Sequence, residues 1–238
     1  MTMLRDPLTA KERQYVGKLV EHYVRNQPLF EVMLDQVKGV VHGSKRLMDQ
    51  VHSTKWRTKD PAHLNDKLLR KMRTAKLEGR KFPYGYTERN LFSKVNDLGG
   101  FRILHLHTQQ IVDINEALRE VFDEYRYKII EGPKASTWDD ESREFFKATG
   151  ISTIKNLRLY TSVHYIIKSN SRTSVTCEIQ VRTLAEELWG EVDHALNYPH
   201  ESESLPCREQ IKVLARVTSS CSRLVDSIFT TARHHKAK

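Results

Sequence analysis

Residues 157–183, LRLYTSVHYIIKSNSRTSVTCEIQVRT, decide the fold of this chain because they contain its two clearest strand-like runs. Residues 157–168 and 173–183 are rich in β-branched and aromatic side chains, a composition that favours extended backbone. The polar residues Ser169, Asn170 and Ser171 lie between the runs and are typical of a turn. We therefore predict an antiparallel hairpin here.

The second run of the hairpin carries a polar face. Its polar residues are Glu178, Gln180 and Arg182, which alternate with Cys177, Ile179 and Val181. Successive side chains of a strand point to opposite faces, so the polar trio shares one face and the apolar trio supports it. A carboxylate and a guanidinium two residues apart can coordinate a metal and hold an anion together. A solvated sheet face with a Glu–Arg ladder would show the same alternation.

The first run places Tyr160, Ser162 and His164 on one face by the same alternation. This face coincides with the face of Glu178 only if the two residue numbers of each cross-strand pair add up to an even number. We predict that His164 pairs with Glu178 and Ser162 with Gln180, which requires a loop with an odd number of residues. The hairpin then gathers six polar side chains on one surface.

A second carboxylate lies upstream in the segment VNDLGGFRI, residues 95–103. Asp97 precedes a glycine pair, and Arg102 lies within a strand-like run. Asp97 and Glu178, from separate strands, could hold Mg²⁺, a hard ion that takes one or two carboxylates and leaves its other positions to water and phosphate oxygens. The same four residues, Asp-Leu-Gly-Gly, could also form only a turn.

A basic segment, KWRTKDPAHLNDKLLRK, precedes these strands at residues 55–71. Asp60 followed by Pro61 predicts the start of a helix that runs towards Gly79. The cations near that helix start are Arg57, Lys59, Lys67, Arg70 and Lys71. Cations beside free backbone amides can bind a polyphosphate, whereas a solvated basic helix face would have the same composition.

The rest of the chain reads mainly as helices around these strands. Thr9 and Glu12 predict a capping box for a first helix, Pro28 is expected to separate it from a second helix, and Gly43 ends the second. Further helices are predicted over residues 111–122, 184–197 and from Pro206 onwards. Strands are predicted over residues 101–107 and 125–130, and residues 131–156 are predicted to be a long mobile loop. In the last helix we expect the following side chains to face inward: Ile211, Leu214, Val217, Leu224 and Ile228.

The composition is that of an ordinary globular protein with a basic surface. The chain has 238 residues, 39% of them hydrophobic and 29% charged, and its net charge of +9 favours an anionic partner such as a nucleotide, a nucleic acid or an acidic membrane. Three cysteines without metal-type spacing support neither a disulfide framework nor a zinc site. No apolar run approaches the roughly 20 residues that span a bilayer, so we predict a cytoplasmic protein with no membrane partner.

Taken in order, these segments resemble the synthetase domain of the RelA/SpoT homologue family, the alarmone synthetases. The resemblance covers roughly residues 57–198 and rests on four ordered motifs. The basic motif matches at Arg57, Lys59 and Lys67; Asp-x-x-Gly-x-Arg matches at Asp97, Gly100 and Arg102; Tyr-x-Ser-x-His matches at Tyr160, Ser162 and His164; and Glu-x-Gln-x-Arg-Thr matches at Glu178, Gln180, Arg182 and Thr183, followed by Trp189, His194 and Tyr198.

The resemblance implies an α/β (α+β) fold with a mixed, mainly antiparallel five-stranded sheet of nucleotidyltransferase-like type, flanked by helices. It divides the chain into an N-terminal helical extension (1–55), a synthetase core (56–200) and a C-terminal helix with a basic tail (201–238). It implies a small stand-alone synthetase without a hydrolase domain. The terminal helices could assemble a homotetramer, or their apolar stripes could simply cover the sheet.

The resemblance also implies a reaction and its residues. A GTP pyrophosphokinase moves pyrophosphate from ATP to the 3′-hydroxyl of GDP or GTP, makes (p)ppGpp and releases AMP. Phosphates of ATP would contact Arg57, Lys59, Lys67 and Arg102; Mg²⁺ would lie on Asp97 and Glu178, with Glu178 also drawing the hydroxyl proton; and the acceptor would contact Tyr160, Ser162, His164, Gln180, Arg182 and His194.

The sequence departs from the family pattern at three places. Arg158-Leu159 stands where the family usually has Asn-Gly ahead of the tyrosine, His63 stands where serine is common, and Pro199 stands where lysine often follows the tyrosine. The first departure leaves the acceptor base open, although an arginine can itself contact guanine O6 and N7. The alternatives are transfer to an adenine nucleotide or to a tRNA 3′ end, and a catalytically inactive nucleotide- or RNA-binding module.

Overall fold

The computed structural model describes residues 6–169, 171–197 and 202–236. Tyr198, Pro199 and Asn170, which the sequence motifs include, lie outside these ranges. The helices are α1 (Ala10–Gly43), α2 (Lys45–Met48), α3 (Pro61–Leu77), α4 (Leu91–Lys94), α5 (Ile111–Glu124), α6 (Asp140–Ala148), α7 (Leu184–Asn197) and α8 (Leu205–Lys236). The strands are β1 (Ser53–Thr58), β2 (Gly99–His105), β3 (Lys128–Thr137), β4 (Ser152–Lys155), β5 (Ser162–Lys168) and β6 (Thr176–Thr183).

One sheet contains all six strands in the order β1-β2-β6-β5-β3-β4. The β2–β6 and β3–β4 pairs are parallel and the other three pairs are antiparallel, so the prediction of a mixed, mainly antiparallel sheet is confirmed. The predicted count of five strands is wrong. The two edge strands, β1 and β4, are short and mostly polar, so neither gives the apolar alternation that identifies a strand from sequence.

The N-terminal helix α1 is a single helix of 34 residues, so the predicted break at Pro28 is wrong. Its start is as expected, since Thr9 and Glu12 form the capping box. Proline within a helix loses one backbone hydrogen bond and clashes with the preceding turn, at a cost of about 3 kcal/mol. Buried side chains on both sides of Pro28, Tyr23 and Phe30 among them, pack into the same core and offset that cost.

The two faces of the sheet differ. Phe101 of β2, Tyr165 of β5 and Ile179 of β6 point to one face and are fully buried in the core formed with α1 and α5. Alternation sends their neighbours to the opposite face. That opposite face, beside α3 and α7, therefore holds the polar side chains of the predicted motifs.

Residues 131–156 are ordered, so the predicted long mobile loop is wrong. Strand β3 continues to Thr137, α6 follows with Asp139 as its cap, and β4 pairs with β3. Three buried side chains anchor the segment: Ala135, Phe146 and Ile151. Part of the charge that suggested a loop is exposed on α6, at Asp140, Glu141, Glu144 and Lys147.

The last helix, α8, packs through small and polar residues rather than through the predicted apolar stripe. Ile211 is buried as expected, but Val217, Leu224 and Ile228 are each more than half exposed. The buried side chains between them include Ala215, Thr218, Ser219 and Ser222. Ser222 reaches the end of β6, where its hydroxyl lies 3.1 Å from that of Thr183.

The apolar stripe of α8 therefore does not cover the sheet, whereas the stripe of α1 does. Assembly of several copies through the exposed side chains of α8 stays a prediction. Within the ranges described, no helix has the length and apolar character needed to cross a bilayer.

Candidate active site

A row of polar side chains crosses the open face of the sheet. The strand register aligns one residue from each of five neighbouring strands: Lys55, Arg102, Gln180, His164 and Lys134. Paired residues of neighbouring strands point to the same face, so all five side chains lie on the side away from the core. The sequence motifs thus meet because the sheet brings distant strands together.

The hairpin register differs by two residues from the prediction. His164 lies opposite Gln180, and Glu178 lies opposite Ile166, so the predicted pairing of His164 with Glu178 is wrong. The predicted shared face and odd-length loop are confirmed, since Lys168 pairs with Thr176 across seven residues, 169–175. A shift of two residues keeps every side chain on its face.

Glu178 is held at the centre of this face by two hydrogen bonds. Nδ1 of His164 lies 3.0 Å from Oε1 of Glu178, and Nε2 of Gln180 donates to Oε2 over 2.9 Å. Nη2 of Arg182 donates to Oε1 of Gln180 over 3.1 Å, which orients the amide. Burial alone would raise the pKa of Glu178, but the contacts with His164 and Gln180 outweigh it and keep the pKa below its ordinary value. The carboxylate is therefore ionised at neutral pH.

Asp97 lies just before β2 and is paired with two lysines. Nζ of Lys67 is 2.7 Å from Oδ1, and Nζ of Lys59 is 2.9 Å from Oδ2. Burial alone would raise the pKa of Asp97. The two ammonium groups together have a larger, opposite effect, so the pKa of Asp97 is below its ordinary value. Lys67 belongs to α3, which begins at Pro61 and is capped by Asp60, as predicted.

Two cavities meet at these carboxylates. The larger, of about 710 Å³, is lined by all twelve residues to which the resemblance assigns a role in the site: Arg57, Lys59, Lys67, Asp97, Arg102, Tyr160, Ser162, His164, Glu178, Gln180, Arg182 and His194. The smaller, of about 350 Å³, shares five of them and adds three further lysines: Lys67, Asp97, Tyr160, His164 and Glu178, with Lys71, Lys94 and Lys134. The shared residues form the boundary between two basic chambers.

Tyr160 lies outside β5, which begins two residues later, and other groups fix its position. Nδ2 of Asn156 donates to the Tyr160 carbonyl over 2.7 Å. The Tyr160 ring lies nearly parallel to Trp189 of α7, with centroids 6.3 Å apart and an angle of 21° between the planes. Tyr160 also lines both cavities.

Most of the chain matches one known family of sequences. Residues 56–203, more than half of the chain, match the family model described as a region found in RelA / SpoT proteins. The chain belongs to the RelA/SpoT family. No curated protein matches it at a significant level.

Solved structures of RelA/SpoT-type synthetases have the same fold at low sequence identity. A GTP pyrophosphokinase family protein from Streptococcus pneumoniae superposes with a TM-score of 0.61 at 15% identity, covering 97% of this chain and 98% of that chain. The small alarmone synthetase 1 from Bacillus subtilis, bound to its product pppGpp, gives 0.58 at 16% identity, with coverages of 90% and 97%. The small alarmone synthetase 2 from the same organism gives 0.58 at 18%, with coverages of 89% and 98%.

The departure from the RelA/SpoT pattern ahead of Tyr160 has a structural counterpart. Leu159, where the family usually has glycine, adopts a φ of 60°, in the left-handed region that favours glycine. Arg158, at the usual position of asparagine, lines the larger cavity. The backbone thus keeps the conformation of a glycine turn while the side chains differ.

His63, a second departure from the family pattern, lies beside His194. The His63 ring lies 5.9 Å from the ring of His194, and both residues line the larger cavity. Burial and the nearby Arg57 charge lower the pKa of His194, which favours its neutral form.

Sequence reasoning missed several residues of this candidate site. Lys134 lies on β3, in the segment predicted to be a loop, so no face could be assigned to it. Lys94 and Asn96 precede Asp97 but lie on a four-residue helix and a turn that give no periodic signal. Glu187 contacts three cations of the larger cavity. The acidic pair at positions 186 and 187, just after the Glu-x-Gln-x-Arg-Thr motif, could have indicated it.

Glu186 gives the fold a pH-dependent stability. It is 5% exposed, its Oε2 accepts the backbone N–H of Thr161 over 3.0 Å, and burial raises its pKa to about 7. The pKa of this carboxyl is higher in the folded state than in the unfolded state. The stability present below the unfolded-state pKa is therefore lost as the pH rises through the folded-state pKa. At 1.36 kcal/mol per pKa unit, this loss is about 3 kcal/mol between about pH 4.5 and pH 8.

Glu186→Gln should therefore raise the melting temperature by roughly 5 to 10 °C at pH 8 and by little at pH 5. The amide can still accept the Thr161 N–H, and it does not titrate. Thermal denaturation at both pH values measures the effect, with the exposed Glu124→Gln as a control that should change neither. Equal shifts of Glu186→Gln at the two pH values would contradict the assignment.

Proposed function

We propose that this protein transfers pyrophosphate from ATP to the 3′-hydroxyl of GDP or GTP, making (p)ppGpp and releasing AMP. The observation that carries the proposal is the boundary between the two basic cavities. Asp97, Glu178 and His164 lie there, so each can reach a ligand in either chamber. A reaction between two phosphorylated substrates needs such a boundary. The pppGpp-bound small alarmone synthetase of the same fold agrees with this assignment.

The larger cavity suits ATP. It contains Arg57, Lys59, Arg102 and Arg182, and planar guanidinium groups bind phosphate oxygens in pairs. The smaller cavity suits the acceptor nucleotide, because Lys71, Lys94 and Lys134 can neutralise its 5′-phosphates. Gln180, Arg182, Ser162 and His194 line only the larger cavity, so of the six residues first assigned to the acceptor, Tyr160 and His164 are the two that also face the smaller one.

The chemistry requires no protein nucleophile. The acceptor 3′-oxygen forms a bond to the β-phosphorus of ATP, and the bond between that phosphorus and the oxygen bridging to the α-phosphorus breaks. AMP leaves with the electron pair, and the hydroxyl proton passes to Glu178. Because the pKa of Glu178 is lowered, it is a weak base that accepts the proton late, after the hydroxyl has been acidified by bond formation. Positioning and charge neutralisation therefore provide most of the catalysis.

Asp97 and Glu178 fit a requirement for Mg²⁺. Both are carboxylates on the walls of the same two cavities. Among the residues described, there is no group of three or more histidine, cysteine or acidic side chains suited to a metal. Mg²⁺ is an ion that takes one or two carboxylates and keeps phosphate and water ligands. When bound, Mg²⁺ would neutralise part of the phosphate charge.

The proposal is tested by incubating the protein with γ-labelled ATP and Mg²⁺ and, in separate reactions, GDP, GTP, ADP and deacylated tRNA. Labelled guanosine tetra- or pentaphosphate together with AMP is expected. If label appeared only in tRNA or only in an adenine product, that molecule would be the acceptor in place of GDP or GTP. Arg158, at the position that departs from the family pattern, is the feature that would favour this result. The absence of transfer to every acceptor would instead support a binding module.

A further inference from the structure

We propose that Glu187, a buried carboxylate of α7, is a positioning residue that holds the guanidinium groups of Arg102 and Arg182 in their reactive arrangement without contacting substrate. This inference rests on the proposed pyrophosphate transfer. It concerns a residue outside the four sequence motifs.

Glu187 contacts three cations that line the larger cavity. Its Oε1 lies 2.8 Å from Nζ of Lys55 and 3.1 Å from Nη1 of Arg102, and its Oε2 lies 3.0 Å from Nε of Arg182. The Glu187 side chain is 6% exposed. Lys55, Arg102 and Arg182 belong to the described lining of the cavity and Glu187 does not, so the cations lie between the carboxylate and the cavity.

The two arginines need a counterion because they lie close to each other. Burial lowers the pKa of Arg182, and the positive charge of Arg102 lowers it further. Burial would raise the pKa of Glu187, but Arg182 and the neighbouring cations outweigh it, so the carboxylate is charged at neutral pH. An ionised Glu187 therefore lets two like charges share one wall of the cavity before any phosphate arrives.

Arg182 is also fixed by the shape of α7. A Cβ at position 190 would lie 2.6 Å from Nη1 of Arg182, so only glycine leaves room for the guanidinium against the helix. The contact of Nε with Glu187 is an ion pair rather than a directed hydrogen bond. Charge from Glu187 and space at Gly190 thus position the same guanidinium independently.

Glu191 provides a contrast on the next turn of α7. Its Oε1 is 2.6 Å from Nη1 of Arg102, but its side chain is 52% exposed and it lines the cavity. A carboxylate on the cavity wall competes with phosphate for Arg102, whereas Glu187 contacts Arg102 without lining the cavity. The control for Glu187→Gln is Glu116→Gln, which also removes a carboxylate from an arginine, since Oε2 of Glu116 lies 2.7 Å from Nη2 of Arg46, but neither residue lines the two cavities.

The test separates the catalytic rate from nucleotide binding. For Glu187→Gln and Gly190→Ala we expect kcat of pyrophosphate transfer to fall by about 30- to 100-fold, since displacement of a positioned group by about 1 Å can cost 10²-fold. The Kd for AMPCPP, a non-hydrolysable ATP analogue, should change by less than about threefold, because the cations remain in the cavity. Glu187→Asp keeps the charge and should recover part of the lost kcat.

Glu116→Gln should keep both kcat and the Kd for AMPCPP within about threefold of the wild type. A wild-type kcat in Glu187→Gln or in Gly190→Ala would overturn the inference, as would a loss of AMPCPP binding that accounts for the whole loss of rate. If Glu187→Gln does not fold, Glu187→Asp decides, because it moves the carboxylate back by one methylene: a kcat below the wild type with unchanged AMPCPP binding supports the inference, and a wild-type kcat overturns it. A wild-type protein that transfers pyrophosphate to no acceptor would refute the proposed function itself, a result distinct from these.

Discussion

Glu178→Gln is expected to lower pyrophosphate transfer by about a thousandfold while the fold stays intact, within the 10² to 10⁴ range typical of a positioned general base. Glutamine has the same shape and can still bond to His164, so packing in the sheet is retained. It cannot take the hydroxyl proton, and it is a weaker ligand for a divalent cation. Steady-state rates of AMP release, with circular dichroism as the check on folding, measure the effect.

The matched control for this substitution is Glu131→Gln. Glu131 also lines the smaller cavity, but its side chain is exposed and lies at the rim. Its replacement should leave transfer within about threefold of the wild type. Near-normal activity of Glu178→Gln beside a folded spectrum would remove Glu178 from the centre of the mechanism.

Asp97→Asn is expected to lower transfer by about two to three orders of magnitude and to change the response to Mg²⁺. Asparagine removes one of the two candidate metal carboxylates and frees the ammonium groups of Lys59 and Lys67, which Asp97 now pairs. The freed lysines should bind metal-free ATP at least as well as before. The predicted signature is therefore weak catalysis with retained AMPCPP binding and no gain in rate as Mg²⁺ is raised.

Asp60→Asn is the matched control for Asp97→Asn. Asp60 lies on the wall of the same cavity, but its carboxylate caps α3 by accepting the backbone N–H of His63 over 3.0 Å. Asparagine is an equally good helix cap, so the variant should fold and keep its rate. If Asp97→Asn kept a normal Mg²⁺ dependence, the metal would have to be held elsewhere.

The part of the fold that could be predicted from sequence is the part with a local signal. Alternation along residues 176–183 identifies the polar face of β6, and capping residues locate the starts of α1 and α3. The pairing of His164 was wrong by two residues because alternation fixes the face of a strand but not its offset along a partner.

The errors elsewhere come from tertiary packing that overrides local preference. Pro28 is tolerated because both halves of α1 bury side chains in one core. The polar segment that contains Lys134 becomes a strand because it pairs with β5, and the absence of a strand prediction there hid a residue of the smaller cavity. On α8, the side that packs inward carries Thr218, Ser219 and Ser222, which a hydrophobic pattern cannot identify.

The parallel pairing of β2 with β6 also has a consequence for how the protein acquires its site during folding. Gly100 pairs with Glu178, so two segments far apart in the chain must meet before Asp97 and Glu178 face each other. The β5–β6 hairpin is a local structure and can form early, whereas this pairing closes a long loop and raises the contact order of the fold. A nascent chain that has not yet completed β6 therefore holds Asp97 without Glu178, the other carboxylate of the candidate site.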